Sequence, residues 1–321
     1  MIAIVYHCYL VNNWKEIVKQ QLSRVKNSGL YDAVDLFYIT VNRREEIQEI
    51  EFKELVAEYG KVQIEFHSNN TYEYPGIKKV KELSKEHDDL KILYFHAKGV
   101  SNNYIRPNQP EISEKKVKNI RAWSECLEYF LIDRWKESTE KLDENDCVGV
   151  TNVNGWYWGN FWWVNSNYIK RCREVDHWGR WSYEAWLNDY VEGEKRFYQW
   201  YNFTFNPYVT FLDTDFYKEH NLEPSKIVLH KALYGPGEFE IDEGYSNYPL
   251  NNNIDVFNIV DEKLKEQDYN KFFLRVDNQT MGNDPAFGYR KLLLLEFSLE
   301  KYPEKIYELG ISENSNIDFK I

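Results

Sequence analysis

Over the first hundred positions, apolar residues alternate between short continuous runs and helical spacing. Ile2 to Tyr9 is an apolar run of the length of a buried strand. Trp14, Ile17, Val18, Leu22 and Val25 then recur at the helical period, and Ser28-Gly29 stops that helix as glycine does at a C-terminal cap. Val34 to Val41 predicts a second strand, and Glu45 to Tyr59 a second helix ending at Gly60. Val62 to His67 predicts a third strand, Gly76 to His87 a third helix and Lys91 to Phe95 a fourth strand. Strand and helix in this rhythm imply right-handed crossovers and a Rossmann-type, mainly parallel sheet flanked by helices.

Beyond residue 100 the pattern changes. A long helix is expected from Ser113 to Leu142, with Val117, Ile120, Trp123, Leu127, Phe130, Leu131 and Trp135 on one stripe. Cys147 to Thr151 reads as a strand. Asn154 to Trp163 reads as a loop rich in Gly, Trp and Asn running into another strand, and Trp181 to Tyr190 as a short amphipathic helix. After Tyr208 turns and loops dominate until Tyr289 to Lys301, which reads as a last helix. The expectation is one catalytic domain over residues 1–250 and a helical C-terminal extension over 251–321 packed on it.

Composition narrows the function classes. The 321 residues are 43% hydrophobic, enough for a packed core. Aromatics reach 17%, with 25 Tyr and 11 Trp, which suits either sugar-stacking platforms or an aromatic-rich core. A formal charge of −12, with no Lys/Arg block, argues against nucleic acid as a partner. The cysteines at 8, 126, 147 and 172 show no CxxC pairing and read as reduced, buried thiols. The N-terminus lacks a signal-peptide pattern, and no stretch approaches the ~18 apolar residues of a membrane span. A cytoplasmic protein with no transmembrane segment is expected.

Parallel sheets bind ligands at the carboxyl ends of their strands. That rule singles out His7-Cys8-Tyr9, His67-Ser68-Asn69-Asn70 and His96-Ala97-Lys98-Gly99. Lys98 would bring a cation to a leaving diphosphate, and Gly99 would let the backbone approach the ligand; the bland counterpart is a solvated lysine in an ordinary turn. In Gly159-Asn160-Phe161-Trp162-Trp163, a flat apolar wall stands beside amide donors. Trp162 and Trp163 alternate across a strand, so one could be core and the other face a cleft. Glu184, amid the aromatics Trp181, Tyr183 and Trp186, is either a general base or a first-turn acid favoured by the helix dipole.

Taken together, these segments resemble glycosyltransferases of the GT-A fold, and more narrowly rhamnan-synthesis F-type relatives. His96-Ala97-Lys98 matches that group's H-[TA]-K strand end, Gly159 to Trp163 its G-x-[FM]-[FW]-W segment, and Glu184 the carboxylate of the following aromatic helix. The resemblance covers roughly residues 1 to 235. It implies a nucleotide-sugar donor, a glycan acceptor and an inverting transfer with Glu184 as catalytic base. It implies donor contacts from His7, Tyr9, His67, Asn69, His96, Lys98, Gly99 and His230, and acceptor contacts from Asn160, Trp162 and Trp163. His230 precedes a turn at Gly235-Pro236-Gly237 and is carried over as a residue near the diphosphate. The family's Asp-x-Asp metal motif is missing from the fourth strand end, which implies that basic residues replace a divalent ion. Asp213-Thr214-Asp215 is a weak metal alternative, out of order along the chain. Two other classes stay open: a non-catalytic carbohydrate-binding protein on a degenerate transferase fold, and a viral transferase acting on modified DNA bases.

Overall fold

The computed structural model describes residues 1–102, 110–153, 155–176, 179, 181–188, 191, 193–201, 206–218, 225–236, 252–269 and 271–320. It separates into two compact units, Met1–Tyr104 with Ser124–Asn202, and Ile105–Trp123 with Phe203–Ile321. The expected boundary at 250 and 251, the Gly237 end of the expected turn, and Tyr190 lie outside the described residues.

In the first unit the chain runs β1 (Ile2–Tyr9), α1 (Trp14–Asn27), α2 (Leu30–Ala33), β2 (Leu36–Asn42), α3 (Ile47–Leu55), β3 (Val62–His67), α4 (Tyr74–Glu86) and β4 (Lys91–His96). The expected long helix is broken. Helix α5 (Pro110–Glu128), whose residues up to Trp123 belong to the second unit, passes into a π-helical turn at Tyr129–Asp133, and α6 (Trp135–Lys141) follows. Then come β5 (Cys147–Gly149), β6 (Asn152–Val153), β7 (Trp156–Tyr157), β8 (Trp162–Asn165), α7 (Ser166–Arg171), α8 (Trp181–Ala185) and β9 (Phe197–Gln199). Gly29, at φ +78°, does end α1, its N–H returning to the Lys26 carbonyl.

Seven strands form one sheet in the order β3-β2-β1-β4-β8-β5-β9. The four strands at the β3 side are parallel, β8 is antiparallel to both its neighbours, and β9 runs parallel to β5. This is the α/β architecture with a mainly parallel sheet that the alternation predicts. Burial explains the reading: β1 and β4 are almost wholly buried, so they appear as unbroken apolar runs. On one face Tyr94 stacks on Trp162 at 4.8 Å within a core that includes Ile77, Val80 and Ile92. On the strand residues between, Tyr6 stacks on Phe95 at 4.5 Å. All four cysteines are buried free thiols.

The second unit is built largely of strands: β10 (Ile227–Gly235), β11 (Ile254–Asp255), β12 (Lys271–Val276), β13 (Leu292–Leu299), β14 (Tyr302–Ser312) and β15 (Ser315–Lys320), with helix α9 (Phe257–Lys265). Strands β11-β10-β13-β14 make one sheet, and β12 pairs with β15. The helix expected from Tyr289 to Lys301, and with it a helical extension, is therefore corrected. Leu292 to Leu295 is a run of four leucines, strong helix formers, yet it pairs antiparallel with β10 and β14 on either side. Sheet pairing and burial on both flanks override local propensity there. Among the described residues, no helix is long and apolar enough to cross a membrane.

Candidate functional site

From β1 the chain steps outward to β2 and β3, then crosses back over β1 to form β4 on its other side. The sheet's order therefore reverses between β1 and β4, and ligands of open α/β sheets bind in the crevice at such a switch point. The last ladder pair across it is His7 with His96, and the Ala97 N–H bonds to the His7 carbonyl at 2.9 Å. Two of the three strand-end histidines thus meet where that rule locates a ligand.

His7 is 4% exposed. Its Nδ1 lies 2.9 Å from Thr40 Oγ1 and its Nε2 3.4 Å from Asn42 Nδ2. Burial above all, then the neighbouring His96 and His67 rings, push its pKa down to about 3, so the imidazole is neutral at physiological pH. Asn42 donates to the Tyr72 carbonyl at 2.8 Å. The buried Oδ1 of Asn42 and Nε2 of His67 have no hydrogen-bond partner. They sit on paired residues of β2 and β3, so two unsatisfied polar atoms flank the same strand end.

The centre of the cluster is Glu73, a residue the strand-end rule does not reach. It stands at the N-cap position of α4, where the dipole favours an anion, although its carboxylate bonds none of the helix N–H groups. Its Oε2 accepts the Tyr94 hydroxyl at 2.8 Å and a short bond from Asn160 Nδ2, while Oε1 lies 3.8 Å from His96 Nε2. Asn160 in turn accepts Trp162 Nε1 at 2.7 Å. It adopts φ +53° directly after Gly159 at φ +83°, the left-handed bend that turns its amide toward Glu73. His96 Nε2 donates to the Gly159 carbonyl at 2.9 Å, joining the end of β4 to this bend. Burial, then the Glu73 charge and hydrogen bond, then Cys8 and Glu184, raise the Tyr94 phenol well above its usual range, so it stays a donor. The sequence signal was present but indirect: a lone acid in Thr71-Tyr72-Glu73-Tyr74-Pro75-Gly76, just ahead of a proline-started helix.

The other expected residues fall in three groups. Close to the cluster are Lys98 and Gly99, both half-buried, with the Lys98 N–H bonded to the His96 carbonyl at 2.7 Å and Gly99 at φ +86°. Glu184 is half-buried on α8; the preceding carbonyl, of Tyr183, lies 3.5 Å from Asn160 Nδ2, and the Glu184 charge acts on Tyr94. Tyr9 accepts Arg44 Nε at 2.9 Å, His67 is half-buried, and Asn69 is exposed.

Trp162 and Trp163 do not form an open acceptor wall. Both are fully buried, Trp162 against Tyr94 and Trp163 donating to the Leu131 carbonyl at 2.8 Å. They point to opposite faces as alternation requires, but both faces of this strand are covered. The aromatic excess is here a core feature, and only Asn160 of that segment reaches the polar cluster.

The third group lies in the second unit. His230 Nε2 is 2.8 Å from Ser298 Oγ on the adjacent strand. Asp213 and Asp215 hold the Lys305 ammonium at 2.9 and 2.6 Å, and Asp215 also accepts the Tyr307 hydroxyl at 3.0 Å. In this structure an internal lysine lies between these two acids, the weak metal alternative of the sequence. At the end of β4, His96 is followed by Ala97 and Lys98, and Oε2 of the nearby Glu73 takes two donors. Among the described residues, no three His, Cys, Asp or Glu side chains converge as metal ligands.

No protein-family model matches the chain, and no curated protein matches it. Solved structures that it resembles include HddC from Yersinia pseudotuberculosis, at 10% identity and a TM-score of 0.37, over 63% of this chain and 91% of that one. Another is 4-diphosphocytidyl-2C-methyl-D-erythritol synthase from Anaerococcus prevotii DSM 20548, at 12% identity and a TM-score of 0.29, over 63% and 89%. At these TM-scores neither likeness bears on the activity.

Proposed function

We propose that this chain is a glycosyltransferase that moves a sugar from a nucleotide-diphosphate sugar to a glycan acceptor, with inversion at the anomeric carbon. The observation that supports it most is the pairing of His7 with His96 at the switch point of the sheet, with Lys98 two residues beyond. A diphosphate there would lie beside the Lys98 ammonium, a cation suited to a leaving anion. In this reading the Lys98 ammonium, rather than a divalent ion, carries the stabilisation.

In this reading Glu184, on the helix beside Asn160, takes the proton from the acceptor hydroxyl. The acceptor oxygen bonds to the anomeric carbon as the bond from that carbon to the diphosphate oxygen breaks. The electron pair leaves on that oxygen, and a nucleoside diphosphate is released. The test is to incubate the protein with UDP-, GDP- and dTDP-sugars and a panel of oligosaccharides, reading diphosphate release and product mass. A glycosylated product with the anomeric configuration inverted is expected. Failure of the protein to bind any nucleoside diphosphate would overturn the reading.

A further inference from the structure

We infer that Asn12 and Gln21 are positioning residues: their side-chain amides hold the carbonyls on either side of Lys98 and so give the turn after β4 one shape before any ligand arrives. This rests on the nucleotide-sugar reading above, in which that turn carries the cation for the leaving diphosphate. Asn12 Nδ2 donates to the Val100 carbonyl at 2.7 Å, and Gln21 Nε2 to the His96 carbonyl at 3.3 Å. Asn12 lies between β1 and α1, and Gln21 within α1, so a single βα connection grips both ends of the turn. The Ala97 N–H adds its bond to the His7 carbonyl at 2.9 Å, and Ala97 and Val100 are buried. Lys98 and Gly99, both half-buried, lie between these anchors.

Gln21 is 2% exposed, and its orientation is forced. Its Nε2 faces two acceptors, Glu128 Oε1 at 2.8 Å and the His96 carbonyl, while its Oε1 takes the Tyr6 hydroxyl at 2.7 Å. A flipped amide would set an oxygen against both acceptors. Glu128 is itself fixed by Ser124 Oγ and Arg24 Nη1, each at 3.0 Å, at the head of the π-helical turn. A buried polar network satisfied in this way is rigid. Asn12 adopts φ +51°, a left-handed conformation that Asn tolerates better than most side chains, and from that bend its amide reaches Val100. Residues held in such regions cluster at ligand clamps. An anion beside Lys98 therefore meets a turn that is already ordered, and less binding free energy is lost in ordering it.

The test uses Asn12→Gly. Glycine keeps the left-handed backbone and removes only the amide, whereas Gln21→Leu would also strip partners from the buried Glu128 and Tyr6. Hydrogen exchange of the full chain without ligand is read by mass spectrometry on peptides spanning residues 91–102. It should quicken about three- to tenfold in Asn12→Gly, the range of one hydrogen bond, with peptides of β2 unchanged. Calorimetric titration with UDP, GDP and dTDP gives the second readout. For the diphosphate that the unaltered protein binds, Asn12→Gly should weaken binding about three- to tenfold. In a Lys98→Ala background the same change should weaken it less than about twofold, because the amides act through the residue they present. Equal losses in the two backgrounds, as a merely structural role would give, would overturn the inference, and so would an unchanged exchange rate. Binding of no diphosphate by the unaltered protein would instead overturn the nucleotide-sugar reading, and hydrogen exchange would still decide whether the amide holds the turn.

Discussion

A Cβ built on Gly76 would fall 2.8 Å from Tyr94 Cε2 and 3.1 Å from His7 Cβ, so the first turn of α4 rests directly against the ends of β1 and β4. Neither neighbour has room to yield, since Tyr94 is stacked on Trp162 and His7 is hydrogen-bonded to Thr40. Gly76→Ala should therefore destabilise the protein by about 1–3 kcal/mol through overpacking, partly offset by up to about 1 kcal/mol of helix propensity. Urea denaturation checks the sign. A variant at least as stable as the parent would show that α4 can shift without cost.

The buried His7 gives stability a pH dependence of definite sign. Its pKa falls from 6.5 to about 3 on folding, so between those values the unfolded chain binds more protons than the folded one. Its contribution is fully present above pH 6.5 and is lost as pH falls toward 3. From pH 7 to pH 5 the loss should be about 2 kcal/mol, at roughly 1.4 kcal/mol per unit below 6.5. Denaturation curves at the two pH values, compared with His7→Gln, isolate this contribution. A variant with the same pH slope as the parent would exclude His7 as its source.

The parallel half of the sheet was legible because β1 and β4 are buried on both faces and so read as continuous apolar runs, with glycine and polar breaks between elements. The same burial misled at Trp162 and Trp163, whose alternation says that they face opposite ways but not that both faces are covered. Leu292 to Leu295 illustrates a second limit: four leucines fit a buried strand and a buried helix equally, and only pairing with Leu233 and Ile311 on the flanking strands decides. Within the site, His7 and His96 follow from the strand-end rule. Glu73 does not, because its importance comes from Tyr94 and Asn160, which lie 21 and 87 residues away in the chain. Nor does local sequence show that Asp213 and Asp215 share an ion-pair partner in Lys305, 90 residues beyond Asp215.

Lys98 should carry the diphosphate in place of a metal. Chelation with EDTA is expected to leave nucleoside diphosphate affinity within about twofold, while Lys98→Ala should weaken it about tenfold or more, as loss of a hydrogen bond to a charged group does. Titration calorimetry with and without EDTA reads both. A Kd that collapses on chelation and returns with Mn²⁺ would reverse the assignment.

Glu184→Gln addresses the chemical step. An inverting transfer needs one base on the acceptor side, and α8 carries Glu184 one residue beyond Tyr183, whose carbonyl lies 3.5 Å from Asn160 Nδ2. The carboxylate is half-buried and close enough to act on the Tyr94 phenol, so it belongs to the cluster's neighbourhood and not to a remote surface. A base removed from such a position costs about 10²–10⁴ in turnover. The same variant should leave donor binding nearly intact, because the proton it takes belongs to the acceptor. Loss at Glu184 should therefore appear in kcat, with affinity for the donor unchanged. Single-turnover kinetics at saturating donor read this directly, and a Glu184→Gln protein with undiminished turnover would remove it from the chemistry.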